Sequence, residues 1–122
     1  MNVLNATNVI YAGDWMTVPD VMTLTGASQA RVRTWLSDRE IIGTRRGPNG
    51  ALMVPAAFLT GEGPLKSLRG TISVLSDSGL SDEQILQWLG EPDDTLPVGT
   101  PIGALQAGHK AEIRRRAQET AF

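Results

Sequence analysis

The chain has 122 residues, 41% of them hydrophobic, and its 11 basic and 13 acidic side chains give a net charge of −2, which excludes a polycationic protein that coats nucleic acid nonspecifically. It contains no cysteine, which excludes a disulfide framework, a thiolate metal site and a cysteine nucleophile. Because no apolar run approaches the roughly 18 residues of a membrane span, and the first fifteen residues lack the basic start of a secretory signal, we expect a cytoplasmic protein with no membrane partner.

The N-terminal part of the chain predicts a flexible arm followed by two short helices. Residues 1–15 show neither a helical nor a strand period, which is typical of an arm. From Thr17, the sequence Thr-Val-Pro-Asp supplies an N-cap hydroxyl, a proline in the first turn and an acid at the third helical position. Gly26 ends this helix, and Ser28 caps a second one over about 28–37. So short a connection forces a sharp corner between the two helices.

The second helix has a buried and an exposed face. Val32, Trp35 and Leu36 stand at helical spacing and are predicted to be buried together. The outward positions then carry Ala30, Arg31, Arg33, Thr34 and Ser37.

A β-hairpin is predicted next, because the turn sequence Gly-Pro-Asn-Gly at 47–50 separates two strand-like runs. Arg45 and Arg46 precede this turn, and no acidic residue occurs between positions 41 and 61. The hairpin is therefore basic in a chain that is acidic overall.

Beyond a short helix that Pro55 opens, the glycines and proline of 61–65 predict a linker, and the remainder of the chain shows helical patterns. Ser81 and Gln84 form a capping box within this second half. The predicted fold is mainly α with a small β-hairpin wing. Its parts are a flexible arm (1–15), a winged helix-turn-helix domain (16–60), a linker (61–65) and a C-terminal domain of four helices (66–122).

The residues offer little support for catalysis. His109 is the only histidine, so no metal site or nucleophilic triad can be completed around it. Asp93 and Asp94 are neighbours in a proline-flanked loop, which indicates a turn rather than an acid/base pair. The glycines of the hairpin lie outside the strand-to-helix setting of a phosphate-binding loop. We therefore expect no enzyme, no metal and no cofactor.

A helical corner followed by a hairpin indicates a DNA-binding winged helix-turn-helix, whose second helix enters the major groove. Arginine can recognise guanine or clamp a phosphate, and a helix start attracts phosphate. The residues predicted to contact double-stranded DNA are Arg31, Arg33 and Thr34 in the groove, Ser28 and Gln29 at the helix start, and Arg45, Arg46 and Asn49 on the wing. The alternatives are a solvated helix face and wing arginines that merely prevent edge-strand aggregation.

The charges are unevenly divided between the halves of the chain. Residues 1–60 hold five arginines against four acidic residues, whereas residues 61–122 hold six basic against nine acidic residues. The acidic average therefore belongs to the C-terminal half, and a local, salt-sensitive DNA contact in the N-terminal half remains compatible with it.

The segment MTVPDVMTLTGASQARVRTWLSDREIIGTRRGPNGALMVPAAFL resembles the winged helix-turn-helix of the MerR and excisionase type. The whole chain is similar to small actinobacterial DNA-binding proteins that join this domain to a helical C-terminal domain. This second resemblance is carried by Trp88-Leu89, Pro92-Asp93, Pro101-Ile102, Ala104-Leu105 and a terminal Arg-Arg-Ala-Gln. It implies DNA binding by the helix at 28–37 and the wing at 45–50, in a transcriptional regulator or a nucleoid-associated protein. No coiled coil follows the wing, so a MerR-type dimer is not implied and the oligomeric state stays open.

The C-terminal half also looks, more loosely, like the toxin-binding domains of bacterial antitoxins. This likeness offers an alternative function, an adaptor that binds a protein partner through its helical half. Trp88 is central to that alternative, but its spacing from Ile85 and Leu89 is more typical of a core residue. Pairs at i,i+4 between Glu112 and Arg116 and between Arg115 and Glu119 are expected to neutralise most of the arginine run at 114–116.

Overall fold

The computed structural model describes residues 13–120 of the chain. It is mainly helical with small antiparallel sheets, as the sequence predicts. Its strands are β1 (Trp15–Thr17), β2 (Thr44–Arg46), β3 (Ala51–Pro55), β4 (Leu59–Thr60) and β5 (Gly63–Pro64). Its α-helices are α1 (Val18–Thr25), α2 (Gln29–Ser37), α3 (Leu68–Asp77), α4 (Asp82–Gly90), α5 (Pro101–Gln106) and α6 (Lys110–Thr120), with a 3-10 turn at Ala56–Phe58.

The predicted corner between the first two helices is confirmed. The Thr17 hydroxyl accepts a hydrogen bond from the Asp20 amide at 3.2 Å, and the Asp20 carboxylate accepts one from the Thr17 amide at 3.0 Å, so a capping box starts α1. Gly26 ends α1 in the left-handed conformation with φ of 77°. The Ser28 hydroxyl then caps α2 by accepting from the Arg31 amide at 3.1 Å.

A three-stranded antiparallel sheet supports the corner, with strand order β1-β3-β2. Strands β2 and β3 form the predicted hairpin, and its turn contains Gly47 and Gly50, both at positive φ. Strand β1 corrects the predicted extent of the arm, since Trp15 pairs with Pro55 and is part of the sheet. The rest of the predicted arm, up to residue 12, lies outside the described residues.

Gly43 stands where the chain approaches β3 before entering β2. A Cβ atom at this position would lie 2.5 Å from the carbonyl oxygen of Met53 and 2.9 Å from a side-chain carbon of Val54. Residue 43 can therefore lie this close to β3 only because it has no side chain.

The segment predicted as a linker is folded. Strands β4 and β5 pair antiparallel, with Leu59 opposite Pro64 and Thr60 opposite Gly63. Gly63 is buried, and a Cβ there would come within 3.3 Å of the Trp35 indole. The glycines and proline of 61–65 thus make a tight turn against α2 rather than an extended connection, while the domain boundaries themselves stay a prediction.

The four predicted C-terminal helices are present, and the capping box between Ser81 and Gln84 is confirmed. Their buried side chains form one hydrophobic cluster together with those of the N-terminal half. Phe58, which is fully buried, sits in the 3-10 turn that packs on α5. Gln106 donates a hydrogen bond to the Ala57 carbonyl at 3.1 Å across the same junction. In the described part of the chain, none of the helices has the length and hydropathy needed to cross a bilayer.

Candidate nucleic-acid interface

Helix α2 presents a polar face to solvent and anchors its opposite face in the core. Val32 and Trp35 are buried and Leu36 is half-buried, as the helical spacing predicts. All the residues predicted to contact DNA from this helix are exposed: Ser28, Gln29, Arg31, Arg33 and Thr34. A rigid core contact beneath an exposed polar face is what a helix needs to enter a groove without distortion.

The two arginines of α2 differ in their surroundings. The Arg31 guanidinium lies 5.7 Å from the centroid of the Trp35 ring, a cation–π distance that orients it along the helix surface. Within residues 13–120, neither Arg31 nor Arg33 forms an ion pair with a carboxylate. Both charges are therefore available to an external anion.

The hydroxyl groups on α2 are engaged with their own backbone. Thr34 donates to the carbonyl of Ala30 at 3.1 Å, and Ser37 donates to the carbonyl of Thr34 at 3.2 Å. The Ser28 hydroxyl oxygen caps the helix by accepting from the Arg31 amide, so an external phosphate would accept the hydroxyl proton or compete with the hydroxyl oxygen for that amide. Small side chains along this face leave the two arginines as its longest projecting groups.

The tip of the wing is held by Arg45. Its guanidinium donates a hydrogen bond to the Gly50 carbonyl at 3.0 Å and remains exposed, as does Asn49 in the turn. One part of the guanidinium thus stiffens the turn, while its other donors, unpaired among residues 13–120, can reach a phosphate or the minor groove.

Arg46 lies apart from the wing tip. The strand register puts Arg46 and Trp15 on the same face of the sheet, on either side of β3, and the guanidinium stacks 4.2 Å from the centroid of the Trp15 ring. Arg46 is half-buried in this position. The structure therefore brings Arg45 and Asn49 together at the tip and ties Arg46 to β1, and a DNA contact by Arg46 stays a prediction.

The fifth arginine of the N-terminal half, Arg39, joins the two halves of the chain. It adopts φ of 60° and its guanidinium binds the Asp82 carboxylate at 2.7 Å and 3.4 Å. The hydrogen bond that Arg39 donates to Asp82 raises the pKa of Arg39 above its usual value. No pattern in the sequence indicates this pair, because its members lie 43 positions apart.

The C-terminal arginines are paired largely as predicted. Arg116 binds Glu112 at 2.6 Å and Asp93 at 2.9 Å, and Arg115 binds Glu119 at 3.0 Å. Hydrogen bonds from Arg116, followed by those from Arg115, hold the pKa of Glu112 below its usual value. These side chains neutralise one another locally.

A groove of about 580 Å³ lies beside this network. Trp88 lines it, half-buried against the core, and its indole nitrogen donates to the Thr120 hydroxyl at 3.1 Å. His109 is exposed, and among residues 13–120 there is no group of three side chains that could hold a metal ion.

Two family models cover most of the sequence. The model described as the wHTH domain of the DNA-binding protein Rv2175c matches residues 5–59, and the model described as the Rv2175c C-terminal domain of unknown function matches residues 65–121. The chain is 32% identical to the "DNA-binding protein Rv2175c" of Mycobacterium tuberculosis over 117 residues, which cover 86% of this chain and 79% of the relative.

The comparison with solved structures agrees with the sequence comparison. The NMR structure of Rv2175c superposes with a TM-score of 0.79 at 30% sequence identity, covering 90% of this chain and 82% of that structure. The resemblance to small actinobacterial DNA-binding proteins with a helical C-terminal domain is thereby confirmed, whereas the MerR or excisionase subtype stays a prediction. The chain belongs to the Rv2175c family.

Proposed function

We propose that this protein binds double-stranded DNA, with α2 in the major groove and the wing at the sugar-phosphate backbone or in the minor groove. The observation that carries the proposal is the exposed face of α2, where Arg31 and Arg33 have no carboxylate partner among residues 13–120. A capped two-helix corner holds this face rigidly. The relative that is named a DNA-binding protein supports the same conclusion.

Its role is that of a transcriptional regulator or a nucleoid-associated protein without catalytic activity. Guanidinium groups on a helix provide base recognition and phosphate clamping, and neither requires a reacting group. Localisation with the nucleoid follows from DNA binding. Because the C-terminal half is acidic, the affinity should depend on local phosphate contacts and should fall with salt in proportion to their number.

The proposal is tested by titrating labelled duplex DNA with the wild-type protein and with Arg33→Gln at several salt concentrations. If Arg33 contacts a phosphate, its loss weakens binding about eightfold at 0.1 M salt and lowers the salt slope by about 0.9. If it contacts a guanine, the loss is about 5- to 150-fold and is confined to one sequence. Arg45→Gln should weaken binding to all sequences, because the wing acts on the backbone.

Arg115→Gln is the matched control. It removes the same charge from an exposed helical position, but Arg115 is already bound to Glu112 and Glu119. A wild-type protein that does not bind DNA even at low salt contradicts the proposed function. DNA binding that is unchanged in both Arg33→Gln and Arg45→Gln contradicts the proposed site.

A second candidate is the binding of a protein partner by the C-terminal helices, as in an adaptor. The groove beside Trp88 favours it, since a half-buried tryptophan at the edge of a cavity is a common centre of protein interfaces. The indole nitrogen is already hydrogen-bonded to Thr120, which favours a packing role for this residue. A co-purified partner that is lost when exposed C-terminal residues are changed, together with no DNA binding at low salt, would favour this candidate over the first.

A further inference from the structure

Three basic side chains outside α2 lie around one cleft in the C-terminal half. Lys66 precedes α3, whereas Lys110 and Arg114 lie in the first two turns of α6, and all three are exposed. They line one cleft of about 410 Å³ together with Ser67 and Ala111. We call Lys66, Lys110 and Arg114 the α3/α6 basic cluster.

Within the described part of the chain, the α3/α6 basic cluster has no ion-pair partners, whereas the other two arginines of α6 do. Arg115 and Arg116 are bound to glutamates and to Asp93. Among residues 13–120, no member of the α3/α6 basic cluster forms an ion pair. Glu62 lines a neighbouring cavity with Lys66 but does not pair with it. The three positive charges are therefore uncompensated at close range.

The backbone around the cleft adds to its positive potential. Helices α3 and α6 pack against each other, and both begin at the cleft, so two helix N-termini point their partial positive charges towards it. Ser67 caps α3 in a left-handed conformation with φ of 79° and makes no side-chain cap hydrogen bond. The helix starts reinforce the attraction of the three side chains for an anion.

Gly70 shapes the position of Arg114. A Cβ at residue 70 would lie 2.9 Å from Cζ of Arg114 and still closer to one of its terminal nitrogens. The guanidinium thus occupies space that exists because α3 carries glycine there, although glycine destabilises a helix interior relative to alanine. Arg114 is held beside the cleft rather than extended along the outside of α6.

Lys66 of the cluster lies close along the chain to Gly63, where the chain packs against α2. Gly63 contacts the Trp35 indole, whose ring carries the Arg31 guanidinium. Lys66 follows Gly63 by three residues, so their Cα atoms are no more than about 11 Å apart. Lys66 is therefore near the junction of α2 with the C-terminal half.

We propose that the α3/α6 basic cluster is a second DNA contact, which binds backbone phosphates of the same duplex that α2 and the wing engage. The inference rests on the proposed DNA binding. It assigns to the C-terminal half a direct role in affinity without base recognition, because lysine and arginine on a cleft contact phosphates irrespective of sequence.

The test compares Arg114→Gln with Arg115→Gln, two adjacent exposed arginines of one helix that differ in whether carboxylates already bind them. Arg114→Gln should weaken binding to any duplex about eightfold at 0.1 M salt and reduce the salt slope by about 0.9, while Arg115→Gln leaves both unchanged. The triple variant K66Q/K110Q/R114Q should reduce the slope by about 2.7 and the affinity by up to about 500-fold. Thermal unfolding identical to wild type establishes that each variant is folded.

The two proposals fail in distinguishable ways. A wild-type protein that does not bind duplex DNA contradicts the proposed function. If the wild-type protein binds, Arg33→Gln weakens binding and the triple variant keeps wild-type affinity and salt slope, the inference on the cluster is overturned while DNA binding by α2 stands. A loss in the triple variant that Arg115→Gln reproduces also overturns it, since net charge alone would then account for the effect.

Discussion

Replacing Gly43 by alanine tests how closely the start of β2 must pack against β3 within the wing. The new Cβ would lie 2.5 Å from the Met53 carbonyl oxygen, about 0.9 Å short of the 3.4 Å at which ordinary contact begins. That oxygen belongs to β3, the central strand, which is paired on both sides and cannot swing away as a flexible side chain can. Relief therefore requires β2 to move away from β3, starting at the pair of Thr44 and Met53.

The cost follows from the size of the added group. Inserting an extra methyl group into a packed site destabilises a protein by about 1–3 kcal/mol. With about 2.1 cal/mol/K per residue, the unfolding entropy of 122 residues is about 0.26 kcal/mol/K, so Gly43→Ala should lower the Tm by about 4–12 °C. DNA affinity should fall as well, because Arg45 moves with β2.

Thermal unfolding followed by circular dichroism measures the effect, with Gly61→Ala as the matched control. A Cβ at Gly61 would meet no atom within 4 Å, and this glycine is not at positive φ. The control should change stability by no more than about 0.5 kcal/mol, or about 2 °C. Equal melting temperatures for the two variants would refute the argument that β3 excludes a side chain at position 43.

Further predictions concern the core, a helix cap and the response to acid. Phe58→Ala removes a fully buried ring at the junction of the two halves and should destabilise both together by about 3–5 kcal/mol; separate unfolding transitions for the halves in calorimetry would contradict a shared core. Ser81→Ala deletes the capping box of α4 and should cost about 1 kcal/mol, or about 4 °C in Tm, whereas Ser73→Ala on the exposed side of α3 should have little effect. The pKa of Glu112 is lowered mainly by hydrogen bonds from Arg116, so this carboxylate contributes stability that is present above its ordinary pKa of 4.5 and lost as the pH falls through the lowered value. The free energy of unfolding, measured by denaturant titration at several pH values, should accordingly fall less steeply below pH 4.5 in Glu112→Gln than in the wild-type protein. An identical pH dependence of the two proteins would show that the pair between Glu112 and Arg116 contributes nothing to stability.

Local chemistry explains which parts of the fold are predictable from sequence. The starts of α1, α2 and α4 follow from caps whose partners lie three residues away, so the sequence carries the full signal. Strand β1 has three residues, and its partner strand lies about 40 positions further on. Neither propensity nor period can indicate such a pairing, and for this reason Trp15 is assigned to the arm in the sequence-based prediction.

The candidate site likewise has one part that the sequence predicts and another part that it does not. The exposed face of α2 follows from helical spacing once Val32 and Trp35 are recognised as core residues. The stacking of Arg46 on Trp15 depends on the register of a strand that the sequence does not reveal. Likewise, the turn at 61–65 is closed by pairing and by an indole 28 positions away from Gly63, whereas its composition alone is typical of a flexible segment.

The closed turn between the two halves determines how they can act on a third molecule. A flexible tether would let the C-terminal helices sample many orientations, and a second contact would then depend on an effective concentration set by tether length. Here β4 and β5 are paired, Gly63 abuts Trp35, and Arg39 is bound to Asp82, so the halves keep one orientation. The protein therefore binds a duplex in one fixed geometry. The curvature of the DNA, rather than the length of a flexible connection, then determines how many phosphates the protein contacts.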